Sequence, residues 1–257
     1  MRIWVQSAIA IGKDAQAGSY EKSLKRRTQE VARPDTIVDV HGIDVAPPGP
    51  DRYHLTEHIA ISWIVKNARR AEKAGYDSFV VVCTLDPGFY ELREMLDIPL
   101  VYILESSVQL ACLLAPKFSF LTHNELLLLR VTEKVKQYGL GERMTPGACL
   151  DISVKDINTM YENPRPYLDA LIEKGRKVIE QGANIILVSG NPVNLFLLDQ
   201  GVREIDGVPI LDVCGATVKF GEFMVDLKNI GIVRTKKGLY TTPSKEELAT
   251  LLTFYRD

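Results

Sequence analysis

Two stretches decide the fold. The first is Lys73-Ala74-Gly75-Tyr76-Asp77-Ser78-Phe79-Val80-Val81-Val82-Cys83, and the second is Glu180-Gln181-Gly182-Ala183-Asn184-Ile185-Ile186-Leu187-Val188-Ser189-Gly190. Each reads as a helix end, a glycine that closes it, a polar turn, an unbroken apolar run and a turn of small residues. A helix-terminating glycine takes the left-handed conformation that other residues avoid. An apolar run of four, not alternating with polar residues, is the pattern of a strand covered on both faces. The repeat predicts two similar lobes facing one cleft.

Working outward, strands and helices alternate. Ile3–Val5, Thr36–Val40, Phe79–Val82 and Leu100–Ile103 read as strands in the first half. Helices are expected over Tyr20–Ala32, Thr56–Ala74 (with Ile59, Trp63 and Val65 toward the core), Phe89–Leu96 and Ser106–Leu114. The three prolines between Asp44 and Pro50 mark a loop. In the second half, Phe118–Leu121, Ile185–Val188 and Ile210–Asp212 read as strands. Glu125–Tyr138, Tyr167–Gln181 and Thr217–Leu227 read as helices. This alternation predicts an α/β protein of two pseudo-symmetric lobes, each a parallel sheet flanked by helices. Residues 1–104 with 212–257 are expected to form one lobe, and 105–211 the other.

The chain has 257 residues and a net charge of −2, so no strong field gathers nucleic acid or an anionic membrane. No apolar run approaches the ~20 residues needed to span a bilayer. A strand beginning at the first residues leaves no room for a signal peptide, and a cytoplasmic location is expected. Cys83, Cys112, Cys149 and Cys214 include no Cys-x-x-Cys pair, so a zinc-ribbon spacing is absent. In a reducing compartment they are free thiols.

Ligands of open parallel sheets bind beyond the carboxyl ends of the strands. Cys83 stands at such an end, followed by Thr84-Leu85-Asp86-Pro87-Gly88. Pro87 and Gly88 are expected to start a helix. The N–H groups of the turn and the helix dipole would then favour thiolate over thiol, and Cys83 should alkylate faster than Cys112. A carboxylate grip is expected from Thr84–Asp86 and from Thr122-His123-Asn124, where strands give way to helices. His123 is the strongest histidine candidate. His41 also follows a strand, and His54 and His58 flank the proline-rich loop with Glu57 between them. Asp86 and Glu105 suit either a polar site or a helix cap. Cys112 reads as core, and Cys149 suggests no chemistry.

The motif Val81-Val82-Cys83-Thr84-Leu85-Asp86-Pro87-Gly88 resembles the first-cysteine motif of the aspartate/glutamate/hydantoin racemase superfamily, nearest its hydantoin-racemase-like branch. Asp97–Val101, Glu105-Ser106, Phe118–Thr122, Tyr138-Gly139-Leu140, Gly182–Leu187, Pro209–Asp212 and Ala216–Lys219 continue the resemblance over nearly the whole chain. It implies no metal or organic cofactor, a homo-oligomer, and two thiols acting on opposite faces of a substrate carbon. The second thiol belongs in the turn Ser189-Gly190-Asn191-Pro192, where Gly190 has no side chain to carry a proton. Gly190 is expected to leave open space there. Ser189 is too weak a base to replace the thiol. The family's Asn-Pro-Asn near the first strand is replaced by Gln6-Ser7-Ala8, which makes Gln6 and Ser7 the expected polar contacts.

Three functions follow, in this order. The first is one-thiol chemistry of Cys83 on a small carboxylate or cyclic amide: ring-opening hydrolysis, a lyase or decarboxylase step, or cis–trans isomerisation. The second is an amino-acid or hydantoin racemase or epimerase with Cys214 as the alternative second acid/base. The third is a small-molecule-binding protein without catalysis. Substrate contacts are expected from Gln6, Ser7, Thr84, Asp86, Thr122, His123, Asn124, Ser189, Gly190 and Asn191, with Asn194 a further candidate beside Asn191.

Overall fold

The computed structural model describes residues 1–13, 17–49, 53–152 and 156–255; Pro50 of the expected loop lies outside them. In chain order the elements are β1 (Arg2–Gln6), α1 (Gly18–Val31), β2 (Ile37–His41), α2 (His54–Lys73), β3 (Ser78–Val81), α3 (Glu91–Met95), β4 (Leu100–Tyr102) and α4 (Ile103–Leu114). There follow β5 (Phe118–Thr122), α5 (Glu125–Gln137), β6 (Ala148–Cys149), α6 (Ile157–Glu162), α7 (Pro164–Glu180), β7 (Ile185–Ser189), α8 (Asn191–Asp199), β8 (Glu204–Ile205), β9 (Val208–Leu211), α9 (Val213–Asn229) and α10 (Lys245–Leu251).

The first sheet has the order β2-β1-β3-β4 and the second β6-β5-β7-β9-β8. All pairs are parallel except the hairpin β8–β9. Setting β8 aside, the two sheets share one topology: the first strand lies between the second and third, and the fourth lies outside the third. β3 and β7, the two look-alike stretches, are therefore equivalent third strands. This is the two-lobed α/β architecture expected from the repeat.

Period-2 alternation explains why both faces of each sheet are apolar. Ile3, Val5 and Val80 of the first sheet and Phe118, Phe120 and Leu187 of the second turn toward a shared central core with Leu24, Val108 and Val218. Trp4, Phe79 and Val81 pack outward under α2 and α3. Leu121, Ile186 and Val188 pack outward against Leu171, Val178 and Phe196 of α7 and α8. The helix α9 enters the central core through Val213, Cys214 and Val218.

Two local expectations change. The buried face of α2 is Ala60, Ile64, Val65, Ala68 and Ala71, whereas Ile59 is exposed and Trp63 half-buried. Three alanines on one face allow close approach to the sheet, which outweighs burial of the larger side chains. Pro87 and Gly88 do not begin a helix, because Gly88 adopts φ +72° in a turn and α3 starts only at Glu91. Among the described residues, no helix is long and apolar enough to cross a membrane.

Candidate active site

A cavity of about 90 Å³ opens at the carboxyl ends of β1, β3, β5 and β7. Ser7, Ala8 and Ile9 follow β1, and Cys83, Thr84 and Leu85 follow β3. His123 follows β5, and Gly190, Asn191 and Pro192 follow β7. Tyr20 of α1, Leu127 of α5, Ile152 and Met160 complete the wall. Among the described lining residues there is no Lys, Arg, Asp or Glu.

Cys83 carries the only sulfhydryl of the described lining. Burial pushes its thiol up to about 12, against a pull downward from the Leu85 N–H, and the nearby Glu57 adds to the rise. The expected low thiol is thus corrected: the helix expected to begin at Pro87 and Gly88 begins only at Glu91, eight residues after Cys83. Desolvation of a thiolate in an apolar cavity dominates.

Gly190, which holds φ +106°, also lines the cavity. The space beside it is not empty. A Cβ built on Gly190 would lie 2.7 Å from His123 Nδ1 and 3.4 Å from His123 Cε1. The imidazole fills the volume that a side chain at 190 would enter, which corrects the expectation of an opening. The Gly190 N–H donates to Thr84 Oγ1 at 3.1 Å, so the turns after the two equivalent strands are bonded to each other in the cavity lining.

A polar rim completes the site. Ser7 Oγ and Tyr20 OH are 3.3 Å apart, and Asn191 Nδ2 donates to Tyr20 OH at 3.4 Å. Burial raises the Tyr20 hydroxyl far above its ordinary range, so it stays protonated. Asn191 Oδ1 is buried with no hydrogen-bond partner among the described residues. A buried acceptor left unpaired is costly, and an N–H of a bound ligand would satisfy it.

The other expected residues sit elsewhere. Gln6 is fully buried behind the cavity, bonded to Trp4, Ser7 and Asn67. Asp86 accepts from the N–H groups of Leu104 and Glu105 and from Tyr138 OH, so it caps α4 and does not line the cavity, although its charge adds to the rise of the Cys83 thiol. Thr122 Oγ1 bonds to the Asn124 carbonyl, and the Asn124 side chain caps α5 through Leu127 N–H. Neither lines the cavity, because both are committed to starting the helix. Ser189 Oγ is buried on the far side, in a separate small cavity. Asn194 donates to the Leu211 carbonyl.

Cys214 is fully buried at the start of α9 and does not line the cavity. Burial raises its thiol well above the ordinary range, although the Asn191 side chain bonds to it. His41 stacks on Trp4 with ring centroids 3.4 Å apart, outside the site. His54 and His58 lie exposed on α2. Glu105 pairs with Arg93, Cys112 packs on the central core, and Cys149 lies beside Asp151.

Comparison with known proteins supplies the family. The family model described as Asp/Glu/hydantoin racemase matches residues 18–221. The chain belongs to this family. A hydantoin racemase of Pseudomonas sp. (strain NS671) is 29% identical over 226 residues, covering 88% of each chain. The fold is similar to that of allantoin racemase from Klebsiella pneumoniae, with a TM-score of 0.80, 22% identity and coverage of 95% of this chain and 94% of the other. It is more distantly similar to arylmalonate decarboxylase, with a TM-score of 0.52, 16% identity and coverage of 88% and 92%. Within the family's two-lobed scaffold, Cys83 and Gly190 occupy equivalent places after the two third strands.

Several lining residues escaped the sequence. Tyr20, Ile152, Ile157 and Met160 come from helices and loops whose apolar character reads as ordinary core. The Glu57–Arg130 ion pair lies beside Leu85, near enough to act electrostatically on Cys83. Its two members are 73 residues apart, and no local pattern links them.

Proposed function

We propose that this chain is an enzyme that transfers a proton at the carbon next to a carbonyl of a small cyclic amide, with Cys83 as its single thiol. The observation that carries the reading is the position of Cys83. It is the one sulfhydryl of the described lining, just past a strand end, in a small cavity that Gly190 also lines and whose described lining has no Lys, Arg, Asp or Glu. A free amino acid brings an ammonium and a carboxylate, and the described lining offers no Asp or Glu for the first and no Lys or Arg for the second. A neutral cyclic amide brings N–H groups, for which Asn191 Oδ1 is an available acceptor, and carbonyls that Tyr20 OH and Ser7 Oγ can meet. The carbon between a carbonyl and an amide nitrogen is acidic enough for side-chain acid/base chemistry, which contributes typically ~10²–10⁴-fold. The hydantoin and allantoin racemases similar to this chain support the same substrate class.

The test uses both enantiomers of 5-methylhydantoin in heavy water, with the C5 proton followed by NMR. The parent is expected to exchange that proton, and Cys83→Ser to do so at least ~100-fold more slowly. Exchange by Cys83→Ser at the parent rate would defeat the reading. Aspartate and glutamate are expected to remain unchanged.

A further inference from the structure

We propose that the His123 imidazole is the second proton-transfer group, standing against Gly190 on the face of the substrate opposite Cys83. The inference rests on the proposed proton transfer at Cys83 and adds the group that completes it.

The geometry comes first. β3 and β7 are equivalent third strands of two sheets with one topology, and Cys83 and Gly190 follow their ends. Gly190 has no side chain, yet a proton-carrying group occupies the place a side chain would take. Its Nδ1 lies 2.7 Å from where the Cβ would be. The imidazole therefore substitutes in space for a residue at 190, although it arrives from β5. Three features hold it there. Thr122 pairs in register with Ser189, which sets His123 beside Gly190. The His123 carbonyl accepts from Ile152 N–H at 2.8 Å. Gly190 at φ +106° presents a bare Cα to the ring.

The chemistry needs such a group. A thiol held protonated by burial is a proton donor in the resting site and lacks the charge to act first as a base. A neutral imidazole carries a nitrogen lone pair that can accept a proton. On one enantiomer, the His123 nitrogen lone pair takes the proton from the substrate carbon. That C–H bond breaks, an N–H bond forms, and the released pair moves into the adjacent carbonyl as an enolate. Cys83 then gives its proton to the other face. The S–H bond breaks, a new C–H bond forms, and the sulfur keeps its pair as thiolate. The product is inverted, and the site is left as an imidazolium–thiolate pair. That pair is the form that processes the opposite enantiomer, with Cys83 as base and His123 as acid. Turnover of that enantiomer, or proton transfer through water, restores the starting form.

The experiment compares the parent, His123→Asn, His123→Ala and Cys83→Ser on D- and L-5-methylhydantoin in heavy water, reading chirality and deuterium separately. The parent is expected to invert both enantiomers. His123→Asn is expected to lose inversion by at least ~100-fold. His123→Ala is expected to regain inversion on addition of free imidazole, which a packing role would not produce, and circular dichroism checks that both variants fold. Inversion by His123→Asn at the parent rate, or failure of imidazole to restore folded His123→Ala, would overturn the proposal while leaving Cys83 in place. Full activity in Cys83→Ser, or a parent inert toward 5-methylhydantoin, would instead remove the underlying reading and this proposal with it.

Discussion

The Gly190 N–H donates a 3.1 Å hydrogen bond to Thr84 Oγ1, joining the residue after β7 to the turn after β3. This bond ties the ends of the two sheets together within the cavity lining. Thr84→Val removes the acceptor and keeps the shape. It is expected to lower stability by about 1 kcal/mol, the usual net worth of such a bond. Thr84→Ser should restore it. Urea unfolding of the three proteins measures both, and equal midpoints would show the bond to be without consequence.

Gly190→Ala is expected to cost more. The new Cβ meets His123 Nδ1 at 2.7 Å, and φ +106° is a conformation that side chains resist. Together these should destabilise by about 1–3 kcal/mol and displace the imidazole. His123→Ala in the same chain should recover only the steric part. A Gly190→Ala protein as stable as the parent would mean that the ring moves freely away.

Alkylation reports on the Cys83 thiol. Iodoacetamide reacts with thiolate, and burial holds this thiol up to about 12. In the free protein Cys83 is therefore expected to label more slowly at pH 8 than a free cysteine does, the reverse of what its strand-end position suggests. Peptide mapping by mass spectrometry decides this, and rapid labelling of Cys83 at pH 8 would contradict the desolvated thiol.

Asp86 gives an unusual pH dependence. Burial pushes its carboxyl up to about 7, although Tyr138 OH and the N–H groups of Leu104 and Glu105 pull it down. Between the ordinary carboxyl range and pH 7, the folded protein holds a proton that the unfolded chain has released. Stability contributed by this group is present below that window and is lost as pH rises toward 7. The slope is at most ~1.4 kcal/mol per pH unit for one proton. Denaturation midpoints from pH 4 to 7 for the parent and Asp86→Asn measure it, and the difference between them should shrink as pH rises. A parallel pair of profiles would rule Asp86 out as the source.

Cys214→Ala should leave proton exchange within about twofold of the parent, because its sulfur lies behind Asn191 and does not line the cavity. The side chain it loses is small, so a modest destabilisation of about 1–2 kcal/mol is expected for a buried sulfur. Exchange lost in this variant, with the fold intact, would return Cys214 to the chemistry.

The sequence by itself determined the architecture. Unbroken apolar runs such as Phe79–Val82 and Ile185–Val188 have no solvent-facing side, so they require helices on both faces and thus parallel sheets. The repeat of helix end, glycine and strand fixed the two-lobe arrangement, and the strand-end position of Cys83 put it beside the cleft. Only the tertiary structure decided what surrounds it. Asp86, Thr122 and Asn124 have the composition of a ligand grip, but the N–H groups of α4 and α5 and the Asn124 carbonyl claim their side chains first, since helix ends need partners of their own. The protonation of Cys83 depends on desolvation by residues far away in sequence. The meaning of Gly190 was hidden for the same reason. A missing side chain reads as a vacancy in one dimension, whereas the parallel pairing of β5 with β7 brings His123, 67 positions earlier in the chain, into the space it leaves.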